Sequence, residues 1–558
     1  MKLDIKKAFF VLLVSLFVAG CTDLNVDIES QYTDENFPLT EADMEAVCGP
    51  AFTNFRPNYG RWYWLMVTAS TDEGSLVVNG GNWYDNGKYG EMSLHTWNSS
   101  NEIVFLNWDN LFSSISQCNQ IIEILENAEE SQMKLRFISE VRAMRAFYYF
   151  LAMDNYGGLP IIDKMGMGTP QRSTRKEVAE FIIKELKECN VNLPENVDVT
   201  TYSRPTKYMV YALLAKLYLN WPVYAVDDVS NYNPTDSNPH IDDAIAYCDS
   251  IIESKKYDLS DDWIEKFKDT NGYKIKDFIF AFPYDWETDD QTWGGLTHVR
   301  FWCHKFFEQT FGMMKKPSGV MRANPEFVDL FNLSGDVRNN IWRGGKQYYE
   351  GTNEPFIYEI SKSSLDNYYA GSDKEAKVKW HFELTKELEI RGKTQGEKEE
   401  NLRMLDLGND ELGLAMGYRN VKFYPTLTSP THWQSNDMPV FRYADILLMK
   451  AEAILRGGKE TLGQTTVSLV NEVRSAAQAP LVTAITLEEL CDERGRELAD
   501  EYWRRNDLVR FGQFEKDWGL KKASLGTSNT DKYRRIFPIP FDVMQLNTHW
   551  EQNPGYNK

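Results

Sequence analysis

Gln132 to Tyr156 constrains the fold more than any other stretch of this chain. Phe137, Val141, Met144, Tyr148 and Leu151 recur at helical spacing, and Ala143, Phe147 and Phe150 mark a second apolar face on the same helix. A helix apolar on two faces has to be packed on two sides, as in a stacked solenoid or a deep helical core. Gly157-Gly-Leu-Pro160 stops it, because glycine and proline both disfavour continuing a helix.

Helical patterns extend to either side. In a first block, residues 102–127 precede this segment, and 175–190, 206–221 and 241–255 follow it. A second block runs from 443 to 511. Small residues recur where such helices would cross: Ala212 and Ala215, Ala244 and Ala246, Ala451 and Ala453. Residues 211–218 and 446–453 both read as the second helix of a degenerate tetratricopeptide-type hairpin, with an ordinary helical core as the plainer alternative. The last helix of the second block is expected to carry Glu493, Arg494, Arg496, Glu497, Glu501, Arg504, Arg505, Asp507 and Arg510. Glu501 and Arg505 stand four apart and Glu493 and Arg496 three apart, so ion pairs on a solvated or interhelix face account for these charges.

Between the blocks, residues 257–437 are rich in glycine, asparagine, aspartate and aromatics, with β-like runs such as Phe278-Ile-Phe-Ala-Phe282. This region reads as loops and small strands laid over a helical scaffold, where binding sites usually sit. No low-complexity linker interrupts the chain after Cys21. The expectation is one mainly α domain over 21–558, with a helical part at 22–256, a loop-rich ligand-binding insertion at 257–437, and a helical part and tail at 438–558.

The first twenty residues read as an export signal. Lys2, Lys6 and Lys7 precede an uncharged apolar run, residues 8–19, too short to span a bilayer. The run ends Leu16-Phe-Val-Ala-Gly-Cys21, small residues followed at once by cysteine, which is the pattern of a lipoprotein signal. Cys21 would take a diacylglycerol and an acyl chain on its freed amine, more than stable anchoring needs. Formal charge is −21, and discarding Met1 to Gly20, with three lysines and one aspartate, takes it to −23. So acidic a chain repels phosphate backbones, which argues against nucleic-acid binding. Cys48, Cys118, Cys189, Cys248, Cys303 and Cys491 are scattered, which suits buried thiols in a chain long enough to do without disulfides. Neither they nor the seven histidines show metal-ligand spacing, and no cofactor is implied.

Several stretches, in order, resemble the SusD/RagB family of Bacteroidetes outer-membrane lipoproteins. They are Glu140-Val-Arg-Ala-Met-Arg-Ala-Phe-Tyr-Tyr-Phe150 with Tyr156-Gly-Gly-Leu-Pro160, and Ser203-Arg-Pro-Thr-Lys207 leading into Ala212-Leu-Leu-Ala-Lys-Leu-Tyr218. The most specific is Phe441-Arg-Tyr-Ala-Asp-Ile-Leu-Leu-Met-Lys-Ala-Glu-Ala453 with Val470-Asn-Glu-Val-Arg474. Glu493-Arg-Gly-Arg-Glu-Leu498, Asp507-Leu-Val-Arg-Phe-Gly512, Phe537-Pro-Ile-Pro540 and Gln552-Asn-Pro-Gly-Tyr556 follow. Asn506 departs from the pattern, where an aromatic often precedes the Asp-Leu pair. The resemblance implies a SusD-like fold: four tetratricopeptide-like helix hairpins bearing an irregular ligand-binding region. It also implies a SusC-like TonB-dependent transporter as partner, over which the lipoprotein closes. Asp23, Asp27 and Glu29 look like the family's signal for display on the outer face of the outer membrane.

Aromatic content is high, with 16 Trp, 29 Tyr and 30 Phe. A pyranose has an apolar C–H face and a polar rim, so a flat indole below it with amide or carboxylate groups beside it is a natural receptor. Stacking worth roughly 0.5–1.5 kcal/mol per sugar favours oligosaccharides over single sugars. Two clusters fit. Trp83 and Tyr84 lie among turn residues in Gly80-Gly-Asn-Trp-Tyr-Asp-Asn-Gly87, with Asn82 and Asp85 as hydrogen-bonding neighbours. Trp286, Trp293 and Trp302 fall in the loop-rich middle with His298 and Arg300, and Asp72 is a further polar candidate. Trp108, Trp221 and Trp503 lie in helical patterns and are assigned to packing.

The expected function is therefore non-catalytic capture of oligo- or polysaccharide at the cell surface. A glycoside hydrolase would need paired carboxylates, which 82 acidic residues make uninformative. Strand–helix alternation of a (β/α)₈ barrel, a Gly-x-Ser-x-Gly elbow, a His-Glu-x-x-His motif and a Walker loop are all missing from the sequence. A RagB-like peptide-binding lipoprotein keeps the architecture and changes the cargo; it would rest on backbone hydrogen bonds and need no ring platform. A scaffold for protein partners alone leaves the tryptophan-bearing loops unexplained.

Overall fold

The computed structural model describes residues 37–38, 40–288, 295–362, 365 and 376–557. Cys21 and the rest of the export signal, and Trp293, lie outside the described residues.

Most of the long helices begin at a side chain that accepts a first-turn N–H. Thr40 opens α1 (Glu41–Thr53), Asn101 opens α2 (Glu102–Glu126) and Ser131 opens α3 (Gln132–Tyr156). Thr174 opens α4 (Arg175–Cys189) and Thr206 opens α5 (Lys207–Leu219). α6 (Ile241–Ser254) instead carries Asp242 and Asp243 in its first turn, where acidic groups favour the helix dipole. In the C-terminal part, α7 (Tyr443–Leu455) grows directly from a strand, Thr465 opens α8 (Thr466–Ala476), and Thr486 opens α9 (Leu487–Glu497).

α3 is buried from Ala143 to Tyr156 and packs against α2 on one side and α4 on the other. Both apolar faces are thus used, as its sequence requires. Gly157 ends it at φ 77°, and a Cβ there would stand 3.1 Å from Ile536. α5 packs on α6, α6 on α7, and α7 on α8 and α9, continuing the stack of helical hairpins. Ala212, Ala215, Ala244, Ala451 and Ala453 sit at these crossings, fully buried; Ala246 is exposed and takes no part. Trp108, Trp221 and Trp503 are buried, in keeping with packing roles. The six cysteines are free, buried thiols. Among the described residues, no helix is long and apolar enough to cross a membrane.

Short strands pair the middle region with its flanks. β1 (Gly74–Leu76) lies antiparallel to β3 (Met321–Ala323), with Ser75 opposite Arg322. β2 (Phe278–Phe282) lies antiparallel to β4 (Met438–Arg442), Phe282 facing Met438. Every residue of β2 and β4 is buried, so this pair ties the loop-rich region to α7 from inside the core.

One expected helix is broken. After α9 the chain turns through Asp500 (φ 59°) and Tyr502 (φ 70°) before α10 (Arg504–Arg510). The expected Glu501–Arg505 pair does not form: Glu501 meets Lys422 at 2.5 Å and Arg442 at 2.7 Å, while Arg505 donates to the carbonyls of Arg534 and Arg535. Glu493 and Arg496 do pair, at 2.7 Å. These charges are not solvated. Arg442 meets Asp277 (2.6 Å) and Glu497 (2.9 Å), Arg494 meets Asp445 (2.8 Å) and Asp507 (2.9 Å), and Arg510 meets Glu452 (2.8 Å), all buried. A buried ion lattice runs beside the apolar seam of Leu447, Leu448, Leu469, Val470, Val473 and Leu490 that joins the C-terminal helices.

Candidate functional site

β1 runs directly into the Trp83 loop. Asn79 and Asn82 exchange backbone hydrogen bonds (3.1 and 3.3 Å) around Gly80 and Gly81, both at positive φ (61° and 82°), as a type I′ turn requires. The Asp406 carboxylate accepts from both glycine N–H groups at 2.7 Å, and again from Gly408 at 2.8 Å, pinning the turn from the other side. Trp83 follows at φ 71°. A bulky side chain in the left-handed region is a true outlier costing on the order of 1–3 kcal/mol, held only where the surroundings over-determine it. Its partly exposed ring meets the edge of Phe301 at 5.3 Å and Tyr89 at 5.9 Å, with the Arg300 guanidinium 5.9 Å from its centroid. Tyr84 is partly exposed, and Asn82 and Asp85 are exposed on the same loop.

Arg300 sits on a short helix, His298–Trp302, whose residues divide by face. His298 and Trp302, four apart, share the inward face, and both are buried against the Asp500 carboxylate, 3.2 Å from His298 Nε2 and 3.1 Å from Trp302 Nε1. Arg300, between them, faces outward. The chain leading into β3 fixes it: Ser318 and Gly319 N–H groups donate to the Arg300 carbonyl (3.0 and 3.2 Å), and Arg300 Nε donates to Ser318 Oγ (3.0 Å). Burial, with Arg61 beside it, lowers Arg300 to about 10.

Three sequence-based candidates are therefore corrected. Trp302 and His298 are core: the same Asp500 also accepts from Trp64 Nε1 (2.8 Å), and His298 Nδ1 lies 3.2 Å from the Tyr502 hydroxyl. Asp72 is spent on Arg504, which reaches both its oxygens at 2.8 and 2.6 Å. Next to Asp500 lies Glu73, which accepts the Asp500 N–H at 2.7 Å and is pushed up to about 8 by burial and by Asp500's charge. Two neighbouring carboxylates with one raised is an acid–base arrangement in the abstract, but both are closed off from solvent, leaving no place for a substrate.

Trp286 is partly exposed; its backbone N–H donates to Ser435 Oγ at 3.3 Å, which joins the 285–288 turn to the segment carrying His432. His432 in turn is held down to about 4 by burial and by the fields of Arg300 and Lys315. Trp83 and Arg300 are thus neighbours, and His432 lies within the field of Arg300. Sequence reasoning missed His432, and also Arg61, Trp62 and Tyr89. Arg61 lies 4.4 Å over the Trp62 ring, and Lys88 lies 5.2 Å over Tyr89. Tyr59–Tyr63 forms a single π-helical turn between two short helices, a device often found at functional sites. Clustered aromatics around Gly60-Arg61 were the only signal available. Among the described residues, no cluster of histidine, cysteine or carboxylate side chains could hold a metal ion.

Fold and face together define a class: a helical-repeat scaffold presenting a loop-built aromatic surface. Comparison with known proteins is specific. The model of the SusD family matches residues 226–556, and a second, described as "Starch-binding associating with outer membrane", matches residues 26–219. This chain belongs to the SusD family. The starch-binding protein SusD of Bacteroides thetaiotaomicron is 25% identical over 488 residues, covering 85% of this chain and 82% of that one. SusD-like protein P38 of Formosa agariphila is 24% identical, covering 98% of each. Among solved structures, surface glycan-binding protein A from Bacteroides thetaiotaomicron, in complex with laminarihexaose, superposes with a TM-score of 0.65 at 21% identity, covering 92% of this chain and 99% of that one. Its namesake from Bacteroides fluxus gives 0.67 at 18% identity, covering 93% and 100%.

Proposed function

We propose that the chain captures oligo- or polysaccharide at the outer surface of the outer membrane, tethered through Cys21, and passes it without chemical change to a SusC-like TonB-dependent transporter. The observation that carries this reading is Trp83: a partly exposed indole held at positive φ by a pinned turn, with a guanidinium beside it. Strain spent on presenting a ring has an obvious return if a sugar stacks on it. Tyr84, Trp62 and Trp286 extend the platform, with Trp293 as a further member from its sequence position, and Asn82, Asp85 and Arg300 supply polar contacts. Two of these relatives, one named starch-binding and one solved in complex with laminarihexaose, support the cargo class.

The test is retardation on native gels containing plant, host and microbial glycans. Trp83→Ala should reduce retardation by about 2- to 12-fold in affinity, the worth of one stacked ring, at unchanged melting temperature. Binding of peptides with no response to any glycan would transfer the reading to a RagB-like peptide carrier. Release of new reducing ends would replace it with hydrolysis.

A further inference from the structure

Buried guanidiniums in this protein are matched by acceptors within the fold, and the half-buried Arg300 is matched only at Nε. Arg338, Arg442, Arg494, Arg504 and Arg510 each meet at least one carboxylate within 3 Å. Buried arginines without a carboxylate are satisfied by carbonyl or amide oxygens instead. Arg322 takes Gly319 O and Asn79 Oδ1, Arg505 takes two carbonyls, and Arg172 takes two carbonyls and Asn553 Oδ1. Arg300 donates only through Nε, to Ser318. Among the described residues its Nη groups have no acceptor, and they are not sealed from solvent.

The neighbourhood adds charge of the same sign. His432 lies within the field of both Arg300 and Lys315. Lys315 and Lys316 are exposed, follow the short helix that ends at Thr310, and form no ion pair among the described residues. Lys305 is lowered by burial and by Arg322 and Lys316, with no carboxylate among its causes. In a chain of net charge −21, a cationic face beside the stacking ring is the reverse of what composition supplies. Guanidinium N–H groups can donate to neutral sugar hydroxyls, but a charged donor gains about twice as much from an anionic acceptor. A guanidinium fork with both ends open matches a planar carboxylate or a sulfate, taken bidentately.

Resting on the glycan-capture reading above, we propose that the cargo is an anionic glycan, rich in uronic acid or sulfate ester, whose charged group is taken by Arg300 Nη1 and Nη2 while its ring stacks on Trp83. Lys315 and Lys316 extend the attraction along the polymer.

The test uses the full mature chain in calorimetric titrations and affinity gels. Polygalacturonate and alginate supply carboxylates, chondroitin sulfate and carrageenan supply sulfates, and laminarin and starch are neutral. One acidic class should bind, with affinity falling about tenfold or more as salt rises, since charge contacts outside the stack are screened. The same polymer with its carboxyls reduced, or its sulfates removed, should lose binding. Arg300→Gln should weaken binding by about tenfold, with Arg300→Lys recovering part of it because charge survives but the fork does not. Lys315→Gln, at an exposed position that folding does not use, should cost about two- to threefold. Equal binding of neutral glycans, or anionic binding indifferent to both Arg300→Gln and Lys315→Gln, would overturn the anionic assignment while leaving capture standing. No binding to any glycan would remove capture itself.

Discussion

Arg442 is fully buried and Arg300 is half-buried, and the two guanidiniums live in opposite surroundings. Arg442, in the helical scaffold, is ringed by Asp277, Glu497 and Glu501 between 2.6 and 2.9 Å, and despite its burial these anions hold it well above the ordinary arginine range. Arg300, on the aromatic face, has one hydroxyl partner and a tryptophan, and burial lowers it. The difference separates two uses of charge. In the scaffold, the desolvation cost is offset inside the fold, so the ions fix how helices and strands meet. On the face, among the described residues, no carboxylate within the fold offsets it.

The largest expected effect tests the scaffold side. Arg442→Met leaves three carboxylates short of their main counter-ion, and breaking a buried pair from one side costs about 3–5 kcal/mol. Denaturant unfolding should show that loss, while glycan affinity of the folded fraction stays unchanged; a loss under about 1 kcal/mol would dissolve the contrast. Trp302→Phe asks on which side Trp302 belongs. As a core residue donating to Asp500, it should cost about 1–3 kcal/mol in stability by leaving a buried acceptor short, with binding retained; lost binding at full stability would return Trp302 to the ligand face.

A smaller, pH-dependent effect is expected at Glu73. Its folded pKa is raised to about 8, so the folded state keeps a proton that the unfolded chain releases near about 4.3. Stability is therefore lost as pH climbs between these values. Glu73→Gln removes the titration, and unfolding series at about pH 5 and about pH 6.5 should show the variant gaining on the wild type by about 1–2 kcal/mol over that window. The smallest effect belongs to the face. Asp406→Ala releases the N–H groups of Gly80 and Gly81 and lets the Trp83 loop fluctuate. Re-ordering it on binding should cost about 0.5–1.5 kcal/mol of affinity, visible in titration as a weaker Kd and scarcely in thermal unfolding.

How legible these regions were in the sequence differs for the same reason. α3 could be read almost to the residue, because two apolar faces, Ser131 and Gly157 are all local signals. The break between α9 and α10 could not, since Asp500 and Tyr502 adopt positive φ against their own preference, held by contacts with Glu73, Trp64, Trp302 and His298 from distant parts of the chain. On the face, Trp83 was marked by the glycines and asparagines around it. His298 and Trp302 carried a warning in their spacing of four, which places both on one side of a helix and leaves Arg300 on the other.

By itself, then, the sequence determined the helical stack, its caps and stops, the loop-rich character of the middle, and a tryptophan among turn residues, because each depends on neighbours within one or two helical turns. Tertiary structure alone decided which charges are neutralised and which are left open, and which indoles are interior. Asp500 stands 198 residues from Trp302 and 436 from Trp64 in the chain, and no local pattern reports a partner that folding brings from so far away.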